Sequence, residues 1–389
     1  MKAAPPIYVD YNSTTPLLDE VKQTIITALD NFGNPSSTHY YGSSARKCVE
    51  DARMKVGKMV NTCAEKIFFT SGGTESNHWV IWSAIFGNGH SGGGNIVISA
   101  VEHPSIQKPL EEYEKRDWVK VKKVGMNGGV VDLEMFEDAI DKDTRMVSIM
   151  MANNETGVFQ PLREIVVIVR KKELELGTKI IIHSDAAQVI GKSSVDIEEL
   201  GIDALTIVGH KFYGPKIGAV ALSPYTKMSL EPMIFGGGQE RDLRAGTENI
   251  PMIAGLGRAS MFVANLTAYD FLTMQQKRDY LENQLLKFMK DSIVVNFRNS
   301  RRLVNTSSIC FPKLKTTSPI LLNSCEKFVA SVGAACHSEN NEGCIMMECG
   351  LSEKDAQRCV RISIGFKTSY AELDVVVSDI YRHLACLEK

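Results

Sequence analysis

Apolar runs of four or five residues recur through the first two-thirds of the chain. Between them lie longer stretches whose apolar positions fall three and four apart. Ile67-Phe68-Phe69-Thr70, Asn95-Ile96-Val97-Ile98-Ser99, Met146 to Met150, Lys179 to His183, Leu205 to Val208 and Gly218 to Leu222 read as strands. Glu75 to Ile85, Ser105 to about Lys115 and Leu162 to Leu176 read as helices. An earlier helix begins after Thr15, where Pro16 and the acidic pair Asp19-Glu20 precede Val21, Ile25, Leu29 and Phe32 at helical spacing. Asn34-Pro35-Ser36-Ser37 then supplies turn chemistry. Strands this apolar, alternating with helices, predict an α/β domain built on a mostly parallel sheet covered on both faces.

Past about Ile250 the texture changes. Ala254 to Ala264 and Tyr269 to Lys290 read as helices, followed by Ser307 to Phe311, a Cys-rich loop, Arg361 to Ile364 and a last helix from Ala371 to Cys386. The expected division is a large domain over residues 15–255 and a smaller α+β domain made of 1–14 and 256–389.

Composition narrows the function classes. The chain has 389 residues, 44% of them hydrophobic, enough for a sizeable core, and a net charge of -2. Opposite charges are interspersed, so neither a nucleic acid nor a membrane surface is expected as partner. The nine cysteines are an odd count with no C-x-x-C pair, which points to thiols in a reducing compartment. The start, M-K-A-A-P-P-I-Y-V-D-Y, has no apolar signal core, and no apolar run nears the ~20 residues of a membrane span. A cytosolic protein is expected.

Five stretches carry candidate chemistry. Thr70-Ser71-Gly72-Gly73-Thr74-Glu75-Ser76 passes from strand through two glycines into helix, which serves either as a tight turn or as an anion site on backbone N–H groups. His183-Ser184-Asp185-Ala186-Ala187-Gln188 places an acid at the carboxyl end of a strand, where open α/β sheets bind ligands, or where Asp185 caps the following helix. Gly209-His210-Lys211 follows another apolar strand. Burial there disfavours the ammonium form and leaves a nucleophilic amine, unless Lys211 snorkels to solvent. Lysine, acid and anion site together suit pyridoxal phosphate, with His103 at a further strand end able to stack on its ring. Cys336 sits among small residues beside His337, and Arg361 heads a strand with a guanidinium suited to gripping a carboxylate.

Taken jointly, these stretches resemble the pyridoxal-phosphate-dependent cysteine desulfurase and selenocysteine lyase family, which is class V aminotransferase-like. The likeness runs from Tyr8-Val9-Asp10-Tyr11-Asn12 and Gly33-Asn34-Pro35-Ser36-Ser37 through Ala152-Asn153-Asn154-Glu155-Thr156-Gly157 to Phe235-Gly236-Gly237-Gly238-Gln239-Glu240-Arg241 and Arg244-Ala245-Gly246-Thr247-Glu248-Asn249. It implies the fold type I architecture of pyridoxal-phosphate enzymes. It also implies that Lys211 forms the Schiff base, Asp185 pairs with the ring nitrogen, and His103 stacks on the ring and serves catalysis. Asn154 and Gln188 would contact the phenolic oxygen. Gly73, Thr74 and His210 would surround the phosphate, with Thr247 reaching it from a partner subunit in a homodimer. Asn34 and Arg361 would take the substrate carboxylate, and Cys336 would be the catalytic cysteine.

Two departures lean toward the selenocysteine lyase branch. Val208 stands where many cysteine desulfurases have a phosphate-binding serine, and the cysteine loop reads Gly333-Ala334-Ala335-Cys336-His337-Ser338. The expected reaction removes selenium from L-selenocysteine, leaving alanine. A cysteine desulfurase feeding sulfur to an acceptor protein, and a non-catalytic interaction scaffold, are the alternatives. Cys344 and Cys349 would relay the chalcogen, form a disulfide or stay inert.

Overall fold

The computed structural model describes residues 5–87, 89–333 and 344–387. Its centre is a seven-stranded sheet in the order Ile67–Thr70, Gly218–Leu222, Ala204–Val208, Ile181–Asp185, Thr144–Ser148, Asn95–Ser99, Lys120–Val124. Gly218–Leu222 runs antiparallel to both neighbours, and the remaining pairs are parallel. The mostly parallel α/β sheet expected from the apolar runs is therefore present.

Two-residue alternation explains how one strand feeds two cores. Val97 packs with Val147, Leu205 and Ile207 on one face, while its neighbours Ile96 and Ile98 pack with Met146 and Val220 on the other. The first face is covered by helices Tyr40–Val60, Leu162–Leu176 and Ile250–Ala264, and the second by Gly73–Phe86 and Pro104–Lys115. Gly73–Phe86 buries Trp79, Val80, Ile81, Ala84 and Ile85, so it is apolar on most sides, as a helix covered by neighbours must be. The edge strand Lys120–Val124 keeps Lys120 and Lys123 exposed, which discourages pairing with another chain.

A second core gathers Leu281, Leu285, Ile309, Phe311, Val360, Ile362, Val376 and Ile380. They come from helices Ala268–Met289 and Tyr370–Leu387 and from the antiparallel strands Thr306–Cys310 and Cys359–Ser363. The short strand Ile7–Tyr8 pairs with Phe328–Val329, which sets Val9 in this core and aims residues 10–15 at the large sheet.

Sequence periodicity misplaced two strand ends. The expected strands starting at Met146 and Lys179 run over Thr144–Ser148 and Ile181–Asp185 instead, because Ser148 pairs with His183. That register makes Asp185 the last residue of its strand. The 21-residue helix Tyr40–Val60 was not anticipated; Ala45, Val49, Ala52, Val56 and Val60 form its buried stripe. Among the described residues, no helix is long and apolar enough to cross a membrane, and no cluster of side chains suits a metal ion.

Candidate active site

The carboxyl ends of the parallel strands open into a cavity of about 860 Å³. Open α/β sheets place ligands at this edge because strand ends, loops and helix N-termini converge there. Asp185 ends its own strand, His103 follows Asn95–Ser99, Asn154 follows Thr144–Ser148, and Lys211 closes a short turn after Ala204–Val208. All four line the cavity, as do Gly73 and Thr74 at the start of helix Gly73–Phe86.

Lys211 Nζ donates to the carbonyl oxygens of Asn12, at 2.7 Å, and Ser13, at 2.8 Å. Burial pushes this amine down to about 8, helped by the Arg361 cation, while Asp185 and Asp10 oppose the shift. The neutral amine is thus accessible near physiological pH. Gln188 Nε2 donates to the same Asn12 carbonyl at 3.1 Å, and Gln188 Oε1 accepts from the buried Lys192 Nζ at 3.0 Å. Asn12 therefore joins two of the expected site residues through one oxygen.

Asp185 is buried and accepts from Ala187 N–H at 2.9 Å and Asn77 Nδ2 at 2.8 Å. It takes no part in capping a helix, since the residues after it form turns. His103 caps helix Pro104–Lys115, its Nδ1 accepting from Ser105 N–H at 3.1 Å. Burial, together with Lys211, holds its pKa below the usual histidine range, against the pull of Asp185. His210 Nδ1 lies 3.1 Å from Thr14 Oγ1, and burial beside Lys211 pushes the ring down to about 4.

Arg361 reaches the cavity from the second core. It donates to the Asn154 carbonyl at 3.0 Å, to Asp10 Oδ1 at 2.6 Å and to Ser13 Oγ at 2.8 Å. The Asn154 side chain is different: its Oδ1 is buried with no partner among the described residues. Glu102 Oε2 is in the same condition, while Glu102 Oε1 accepts from Ser99 Oγ at 2.6 Å and Met150 N–H at 2.8 Å. Burial raises the Glu102 carboxyl to about 8, with the negative Asp185 adding to the effect.

Two expected residues, Asn34 and Thr247, lie apart from this group. Asn34 is exposed, with its Oδ1 accepting from Ser36 N–H at 2.9 Å, and Thr247 is also exposed; neither lines the cavity. Cys336 falls in 334–343, outside the described residues. Ser331 and Val332 before that stretch, and Ile345 after it, line the cavity.

Sequence reasoning did not single out Asn77, Glu102, Ser105 or Lys192. Of these only Glu102, adjacent to His103 at a strand end, carried a local signal.

The family model described as Aminotransferase class-V matches residues 7–376. The selenocysteine lyase of Homo sapiens is 40% identical over 98% of this chain and 92% of its own length. The cysteine desulfurase IscS 1 of Archaeoglobus fulgidus is 34% identical, covering 94% of each. A solved structure described as a NifS-like protein superposes with a TM-score of 0.89 at 31% identity, covering 98% of this chain and 100% of its own. A family match over nearly the whole sequence, with its strand ends gathered into one cavity, leads to a single conclusion: the chain belongs to the aminotransferase class-V family.

Proposed function

We propose that the protein is a pyridoxal-phosphate-dependent selenocysteine lyase that removes selenium from L-selenocysteine and leaves L-alanine. The carrying observation is one cavity that presents the Lys211 amine, the Asp185 carboxylate, the His103 imidazole and the Arg361 guanidinium together. The higher identity to selenocysteine lyase than to cysteine desulfurase, 40% against 34%, favours selenium over sulfur.

The residues fit the cofactor. Lys211 would hold its aldehyde, Asp185 its ring nitrogen, and Gly73, Thr74 and His210 its phosphate beside the N-terminal amides of helix Gly73–Phe86. Asn154, whose side-chain Oδ1 is buried without a partner among the described residues, and Gln188 both line the cavity and would turn amide NH₂ groups toward its phenolic oxygen. When bound, pyridoxal phosphate supplies a ring that withdraws electrons from the substrate Cα. Thr247, exposed on this subunit, would complete the phosphate site of a partner in a homodimer.

The protein's own groups divide the remaining work. Arg361 takes the substrate carboxylate and thereby orients the Cα–H bond. Lys211, as a neutral amine, removes that proton. Cys336 thiolate takes the selenium atom as the Cβ–Se bond breaks, forming a perselenide, and carbon keeps the bonding pair and gains a proton. A thiol reductant or an acceptor protein then removes selenium from Cys336. Removal of selenium by a thiol suits a reducing compartment such as the cytosol.

The test is alanine release by the purified, cofactor-loaded protein, with L-selenocysteine and L-cysteine run in parallel. A large preference for selenocysteine is expected. Comparable rates would make it a cysteine desulfurase, and no alanine from either would overturn the enzyme reading.

A further inference from the structure

A line of buried polar atoms runs from Asp185 to His103 through two side chains with no assigned role. Asp185 Oδ2 lies 2.8 Å from Asn77 Nδ2. The same nitrogen lies 2.8 Å from Ser105 Oγ, and that oxygen lies 2.7 Å from His103 Nδ1. Asn77 is fully buried, and Ser105 and Asp185 nearly so.

The direction of every bond follows from one end. A carboxylate only accepts, so Asn77 must turn its NH₂ toward Asp185. An amide nitrogen only donates, so its second hydrogen goes to Ser105 Oγ, which accepts it. The Ser105 hydroxyl proton is then available for His103 Nδ1. Ser105 N–H donates to Nδ1 as well, at 3.1 Å, closing the start of helix Pro104–Lys115. Two donors on Nδ1 require that nitrogen to be unprotonated, which places the ring proton on Nε2. The cost is visible at Asn77 Oδ1, which is buried without a partner among the described residues. Flipping the amide to satisfy it would set oxygen against the Asp185 carboxylate.

We infer that Asn77 and Ser105 are positioning residues that hold the His103 imidazole in its Nε2–H form and tie its orientation to Asp185. This deepens the lyase reading, since it rests on His103 facing the bound cofactor. Any proton His103 exchanges with the cavity passes through Nε2, because protonating Nδ1 would break the helix cap and displace the Ser105 proton. The charged groups that act on the ring are Asp185 from its strand and Lys211 from the turn after Ala204–Val208.

The test reads His103 by nitrogen NMR of histidine-labelled protein, loaded with cofactor and stripped of it, with its signal assigned by loss in His103→Gln. The wild type should show the Nε2–H tautomer. Ser105→Ala removes a donor to the neutral ring, so the proton affinity of His103 should rise about tenfold, the worth of one hydrogen bond. Ser105→Thr should restore it, and Asn77→Ala should move it the same way by a smaller factor. An Nδ1–H tautomer in the wild type, or an unmoved titration in Ser105→Ala, would overturn the assignment. Because the signal needs no substrate, absent turnover with a shifted His103 sinks only the lyase reading. Normal turnover with an unmoved His103 sinks only this one.

Discussion

Arg361 is gripped by Asp10, whose Oδ1 lies 2.6 Å from the Arg361 Nη2. With the Ser13 hydroxyl and the Asn154 carbonyl, this pair holds the guanidinium in place before any substrate arrives. A lysine could not satisfy the same fork of acceptors. Arg361→Lys should therefore raise KM for the amino-acid substrate by about 10- to 100-fold, the worth of a charge-assisted hydrogen bond, with kcat changed only a few-fold. Initial rates over a substrate series check this, and an unchanged KM would remove Arg361 from the carboxylate site.

Only a neutral amine attacks an aldehyde, so covalent loading of pyridoxal phosphate onto stripped protein should speed up as pH rises through about 8, where Lys211 loses its proton. The neighbours give the signs. Arg361 lowers the Lys211 value, so Arg361→Met should move the midpoint up. Asp185 raises it, so Asp185→Asn should move it down. The rise of cofactor absorbance against pH measures both shifts.

A Cβ on residue 73 would sit 2.5 Å from Val208 Cγ2, closer than carbon atoms pack. Gly73→Ala should loosen cofactor retention about tenfold or more through overpacking, and Val208→Ala added to it should recover most of the loss. Val208 is thus matched to a glycine on the facing helix. Cofactor dissociation rates of the two single variants and the double variant test the pairing; additive effects would refute it.

Arg53 donates through both Nη atoms to Glu240, each at 2.8 Å, and both side chains are nearly fully buried. Glu240 also accepts from Phe69 N–H at 3.0 Å, which anchors the Gly236–Gly238 loop to the edge of the large sheet. Glu240→Ala takes from a buried guanidinium its buried carboxylate, leaving the half-exposed Glu50 and the Ile67 carbonyl as its partners, and should cost about 3 kcal/mol of stability in denaturant titration. Glu111→Ala, which breaks an exposed pair with Lys108, should cost under about 1 kcal/mol.

Much of the site was legible because its chemistry sits where apolar strands end. Lys211, Asp185 and His103 each follow a run of buried residues, and strand ends are where an α/β sheet displays function. Asn12 carries no local sign of its role, since its partner Lys211 lies 199 positions away. Asn77 and Ser105 lie inside helices, where a polar residue on a buried face looks the same as any other until its partners are known. Helix Tyr40–Val60 escaped because Gly42, Ser43, Ser44 and Gly57 are poor helix formers that mask the apolar stripe.

The crossing of the Asn12 segment between the two cores has a consequence for the order of folding. Strand Ile7–Tyr8 has no strand partner until Phe328–Val329 is synthesised, and Asp10 meets Arg361 across 351 positions. Contacts of such sequence separation form late, after the local elements of the sheet have condensed. A nascent chain can thus build its central sheet long before Lys211 is gripped by the Asn12 and Ser13 carbonyls. The Asp10–Arg361 pair in the cavity beside Lys211 can close only once nearly the whole polypeptide has been made.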